Sequence, residues 1–197
     1  VMDSNAVMED HVKRLCCTAY GQLRAIHRIK NCVDAQTLEV IIHAFISSRL
    51  DFSNGVLSGI TQRLLQKVQH VQNAAARILT KQPMHAHITP ILQSLHWLPV
   101  ASRVQYKILI IVHKCLYGDA PVYLRNMLQW YTPGRSLRSR NSNKLVIPMC
   151  NHVRSKQAFS VAGPTLWNSI PSDLQNESNF ISFKSKLKTY LFATHFN

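Results

Sequence analysis

Apolar residues return every three or four positions near the start of the chain. Met8, Val12, Leu15, Cys16, Ala19, Leu23 and Ile26 form one stripe, which predicts an amphipathic helix over residues 8–29. Lys13, Arg14, Arg24 and Arg28 fall mostly away from that stripe. Asp34 is a good N-cap for a second helix, expected to run to about Arg49 with Leu38, Ile41, Ile42 and Phe45 inside. Residues 52–59 read as a turn-rich connector. Thr61 can cap a third helix whose inner face is Leu64, Val68, Val71, Ala75 and Ile78; its other face shows Arg63, Lys67, Arg77 and several Gln. Three amphipathic helices with short links predict a small helical bundle.

Pro83 breaks this pattern. Thr89-Pro90 is a cap followed by proline at the first helical position, which predicts a short helix to about Leu95. Pro99 opens a longer helix with Val100, Val104, Ile108, Ile111, Val112 and Cys115 on a broad apolar face, and Gly118 suits its C-terminal cap. Another short helix is expected from Pro121 to near Leu128. Residues 130–142 are polar, basic and turn-prone. Residues 145–148 read as a short strand, with 159–162 as its partner. Residues 164–168 and 171–174 read as single helical turns. A last helix begins near Ser182 and presents Phe183, Leu187 and Leu191. The expected fold class is mainly α. A three-helix bundle over 1–82 precedes a second helical unit over 83–197, which carries a basic loop at 130–157 and a small two-stranded β element.

Charge changes the picture. Between Asp51 and Asp173 the chain has one acidic residue, Asp119, against fourteen Lys and Arg. The whole chain of 197 residues carries +14, yet its hydrophobic fraction of 46% is that of a globular protein, so the charge is no sign of disorder. Such an uncancelled positive field points to a polyanion, most commonly nucleic acid. The bland alternative is a basic protein with no specific partner. Cys16, Cys17, Cys32, Cys115 and Cys150 are odd in number and widely spread, so they read as reduced thiols of an intracellular protein. The most apolar stretch, 108–112, is far short of the ~20 residues that span a bilayer. The N-terminus shows no basic-then-apolar signal pattern, and the chain reads as the tail of something longer.

Little enzymatic chemistry is legible. His85, His87, His96, His113, Cys115, Cys150 and His152 lack the paired spacing of a zinc site. No nucleophile elbow and no glycine-rich phosphate loop occurs, so neither a metal nor a cofactor is expected. Cys16 on the apolar stripe reads as core, and Trp97 and Trp167 as core anchors. The strongest contact candidates are Arg135, Arg138 and Arg140, joined by Arg154 and Lys156. Guanidinium forks match phosphate oxygens, and the neighbouring serines add donors. Trp130 and Tyr131 beside them could stack on an unpaired base; the alternative is a solvated loop with Trp130 buried under it. The basic faces of the first and third helices either track a duplex backbone or are simply solvated.

Eight segments together carry a resemblance: 42–51 (IHAFISSRLD), 68–78 (VQHVQNAAARI), 88–92 (ITPIL) running into 95–100 (LHWLPV), 131–133 (YTP) with 135–139 (RSLRS), 158–171 (AFSVAGPTLWNSIP) and 183–188 (FKSKLK). In order and spacing they resemble the C-terminal part of reverse transcriptases from LINE-type (non-LTR) retrotransposons, the vertebrate jockey-like kind. The resemblance covers essentially the whole chain. It implies that residues 2–11 follow the polymerase palm, that the first three helices are a thumb-like bundle packing against the template-primer duplex, and that the remainder is the post-thumb region. The family's endonuclease and its fingers and palm would lie upstream and are absent here. That polymerase needs paired aspartates to hold two metal ions. The one adjacent acidic pair here, Glu9-Asp10, lacks the aromatic-small turn and sits at a helix start, where acids favour the dipole. The resemblance therefore implies a non-catalytic grip on RNA or an RNA–DNA hybrid, with the upstream palm and fingers as partners and no membrane, in the cytoplasm and nucleus. The alternative is a domesticated or degraded fragment that acts as a protein-interaction module or has no activity. A peripheral binder of anionic lipid ranks last, because the basic residues are dispersed.

Overall fold

Helix α1, Glu9–Ile29, forms where the sequence period places it, and Val12, Cys16, Ala19, Leu23 and Ile26 are its buried stripe. The computed structural model describes residues 8–52, 54–118, 120–132, 143–150 and 157–196. Asp34 caps helix α2, Ala35–Ile42, by accepting the Thr37 N–H at 3.3 Å. A π-helical turn, His43–Ser47, then leads into α3, Ser48–Asp51. A 3-10 turn, Asn54–Leu57, precedes α4, Gln62–Leu79. Helix α1 packs on α4, and the α2–α3 stretch packs on both.

The π turn explains one departure from expectation. Leu38, Ile42, Ile46 and Leu50 are all buried, a spacing of four throughout. A regular helix of 3.6 residues per turn would carry such a series off the core face. One wide turn restores it. Phe45, expected inside, is 50% exposed, and Ile46 and Ser47 are buried instead.

By contacts the chain divides into a first unit up to Val104, with Phe196 and Asn197, and a second from Gln105 to His195. The sequence reading put the division at 82/83. Segment 83–104 stays with the first unit because polar side chains tie it to the earlier helices. Gln72 Nε2 donates to the Leu98 carbonyl at 2.8 Å, Gln69 Oε1 accepts the Val100 N–H at 2.8 Å, and Arg103 pairs with Asp51 at 2.9 Å. Helix α5, Ile88–Ser94, begins one residue before the Thr89-Pro90 signal, and α6 covers Val100–Tyr117. Helices α4 and α5 both end with the carbonyl capping of a Schellman motif: Gln82 N–H to Arg77 O, and Trp97 N–H to Leu92 O. The left-handed positions are Lys81 (φ 55°) and His96 (φ 52°) rather than glycine.

The second unit continues with α7, Val122–Arg125, α8, Phe159–Ser169, α9, Ser172–Gln175, and α10, Phe180–Phe196. Its centre is Trp167 and Phe183, both fully buried, with Leu109, Val112, Leu145 and Leu187 around them. The chain is mainly α. The expected two-stranded β element is not present among the described residues: Phe159–Ala162 is the first turn of α8, and residues 145–148 form no strand. Burial of Val161 and Ala162 in this helix outweighs the strand tendency of a short apolar run. Residues 164–168, expected as a separate turn, continue the same helix with Pro164 inside it. Gly163 lets α8 approach Val112 closely, since a Cβ would lie 3.0 Å from Val112 Cγ2, tighter than an ordinary contact. Leu145 does pair, but through a single antiparallel bridge to Trp130.

Gln72 is 1% exposed and holds an otherwise buried carbonyl. Gln72→Leu keeps the bulk and removes the donor. It should cost about 1–3 kcal/mol, read as a lower urea midpoint with an unchanged slope.

Candidate nucleic-acid interface

Lys13, Arg14, Arg24 and Arg28 are exposed on α1, opposite its buried stripe. Among the described residues no carboxylate lies within ion-pair distance of any of them. On α4 the three predicted residues differ from one another. Arg63 is exposed. Lys67 reaches Glu9 at 3.7 Å, with both side chains about half exposed; such a surface pair is worth about 0–1 kcal/mol and yields readily to another anion. Arg77 is half-buried and donates from Nη2 to the Ala86 carbonyl at 3.1 Å. Its guanidinium anchors the turn before α5, so it is less available than its neighbours. Glu9 and Asp10 occupy the first turn of α1, where carboxylates offset the helix dipole.

In the second unit, Arg135, Arg138, Arg140, Arg154 and Lys156 lie outside the described residues. The root of the 131–144 segment is described, and it is firmly held. Around the Trp130–Leu145 bridge, Tyr131 N–H donates to Lys144 O and Val146 N–H to Gln129 O, each at 2.9 Å. In this register the N–H and C=O of Leu145 point away from the Trp130 backbone. Asn168 of α8 meets both: its Oδ1 accepts the Leu145 N–H at 2.9 Å, and its Nδ2 donates to the Leu145 carbonyl at 2.8 Å. A single side chain thus takes the place of a neighbouring strand. Trp167 Nε1 donates to Asn143 O at 2.8 Å, and Asn143 Nδ2 to Asn176 Oδ1 at 2.9 Å. Trp130 and Tyr131, the predicted stacking residues, are 43% and 46% exposed. Trp130 is therefore not buried under the loop, although its ring meets Tyr117 edge-on at 6.3 Å.

Two polar constellations escaped the sequence reading. Glu39, His43 and Ser47 line up on successive turns, with Oε1–Nε2 at 3.5 Å and Nδ1–Oγ at 3.2 Å. The order carboxylate–imidazole–hydroxyl looks like a nucleophilic relay. Ser47, however, is only 7% exposed, and it sits mid-helix, where backbone N–H groups are committed and none is left to form an oxyanion hole. The line fastens the π turn. The second is His113, 1% exposed and stacked on Phe183 at 4.2 Å, with its Nε2–H donating to the Glu177 carbonyl at 2.8 Å. It borders a cavity of about 320 Å³ shared with Lys114, Tyr117 and Phe180. Burial holds its pKa below the ordinary imidazole value, and the Glu177 carbonyl opposes this only in part. Its Nδ1 is buried without a partner. Among the described residues no three His, Cys, Asp or Glu converge as a metal site, and no described helix is long and apolar enough to cross a membrane.

No protein-family model, no curated protein and no solved structure matches the chain.

Glu177 also accepts from Lys186 at 2.5 Å and from Ser182 at 2.7 Å, which lowers its pKa from 4.5 to about 2. A depressed carboxyl stabilises the fold above its unfolded value, and that contribution is lost between about 4.5 and 2. His113, held neutral, adds a loss that begins as pH falls through its unfolded value of 6.5. Glu177→Gln should therefore lower the urea midpoint at pH 7, with the gap to wild type closing as pH drops below 4.5. A gap independent of pH would contradict the assignment.

Proposed function

We propose that the chain is the non-catalytic, nucleic-acid-gripping part of a retrotransposon RNA-directed DNA polymerase. On this reading the first unit is a thumb-like bundle beside the template-primer duplex, and the second is the region that follows the thumb. The polymerase chemistry lies upstream, in a palm and fingers that this segment does not include. The reading is supported by the eight resembling segments and by the uncancelled charge. The observation that carries it is the outer face of α1. Lys13 to Arg28 covers fifteen steps of helix, about 22 Å at 1.5 Å per residue. A duplex carries one phosphate per about 3.4 Å of its axis on each strand, so this length spans roughly six of them on one strand. Contact of this kind neutralises phosphates and reads little sequence.

One observation favours a second reading, a protein-interaction module. Val40, Phe45, Phe52 and Val56 are 62%, 50%, 78% and 50% exposed, more apolar surface than a duplex-binding face needs. A polymerase palm packed there would reconcile the two readings.

Binding of a short RNA–DNA hybrid at several salt concentrations tests the proposal. Engaging about six phosphates gives a slope of log K against log salt of about −4 to −5. Replacing Lys13, Arg14, Arg24 and Arg28 together by Glu should abolish binding. A flat salt response, or a variant that binds as well as wild type, overturns the proposal.

A further inference from the structure

The bridge that closes the 131–144 segment also builds a notch. Trp130 faces Leu145 across it, so Tyr131 stands directly opposite Lys144. Side chains alternate across such a pair. Trp130 turns toward Tyr117, while Tyr131 and Lys144 line an open cavity of about 320 Å³ with Leu145, Val146, Ile147 and Asn168. An exposed aromatic ring, an exposed ammonium and an aliphatic floor are thus brought together by described backbone hydrogen bonds.

We infer that this notch seats one unpaired nucleobase of a single-stranded nucleic acid, stacked on Tyr131 with an adjoining phosphate at Lys144. The inference rests on the nucleic-acid reading above and gives the second unit its own substrate class. Charge complementarity selects an anionic occupant, since residues 120–172 contain no Asp or Glu at all. The aromatic wall selects a base: every base has a π-face, and stacking needs no particular hydrogen-bond pattern. A base inside a duplex is covered on both faces and cannot enter. Asn168, the one polar side chain among these residues besides Tyr131 and Lys144, already spends its amide on the Leu145 backbone. The notch is therefore built to hold a base rather than to identify one. The outer face of α1 is different, a row of cations along a helix with no aromatic-walled notch, so the two surfaces suit a duplex and a single strand respectively.

Anisotropy titration of the full chain with a short oligo(U) RNA, and with a blunt RNA duplex, tests the inference. All three substitutions leave the backbone bridge available, because Tyr131 and Lys144 hold it through their backbones. Tyr131→Ala should weaken oligo(U) binding about 5- to 150-fold and leave the duplex unchanged. Tyr131→Phe should bind oligo(U) like wild type. Lys144→Ala should reduce the salt slope on oligo(U) by about 0.7. Oligo(U) affinity indifferent to Tyr131→Ala, as expected if a protein segment fills the notch, overturns the inference and leaves the duplex reading standing. A Tyr131→Phe loss as large as that of alanine, or an equal loss on the duplex, also overturns it. Wild type binding neither probe overturns both readings.

Discussion

Helices that carry like charges must be joined by something other than ion pairs. Between Asp51 and Asp173 there is one carboxylate for fourteen cations. The pairs these cations do make reach outside the stretch, Arg103 to Asp51 and Lys67 to Glu9. Neutral carboxamides do much of the joining beside these two pairs. Gln72 and Gln69 bind segment 98–100 to α4. Gln175, 4% exposed, donates to the carbonyls of Trp167 and Ile170 at the turn into α9. Asn168 holds Leu145 on both sides of its backbone. An amide bridges two backbone groups without bringing in a charge that must be desolvated. The fold can thus keep its surface cations uncancelled and still fix its segments. Salt should act weakly on the carboxamide contacts that hold the helices together.

The long helices were legible because their period is strong. α1, α4 and α6 stand within one or two residues of where apolar spacing places them. What failed was local and has physical causes. The π turn at His43–Ser47 leaves no mark in composition; the four-residue spacing of Leu38, Ile42, Ile46 and Leu50 was its signal. The run at 159–162 is too short to separate strand from helix by period, and burial of Val161 and Ala162 on α8 favours helix. The division of the chain was set by polar side chains on α4, whose burial a hydrophobic pattern does not foretell.

The candidate site was legible as chemistry and not as geometry. Charge and aromatic content marked the region around Trp130 and Tyr131, and both residues are exposed. Lys144 and Asn168 were missed. An isolated lysine beside an apolar run carries no signal, and an asparagine at the end of a helix reads as a cap. Only the antiparallel register, which turns the free edge of Leu145 toward α8, gives Asn168 its place. Arg77 shows the converse: its sequence position matches that of Arg63 and Lys67, but its head is drawn inward to Ala86.

Asn168 holds both the N–H and the C=O of Leu145, and the backbone bridge to Trp130 holds the other side. Leu145 is thereby fixed by backbone and amide groups as well as by burial of its side chain. A single change at Asn168 would strip two of those partners at once, so one carboxamide concentrates a task that a sheet spreads along a whole strand.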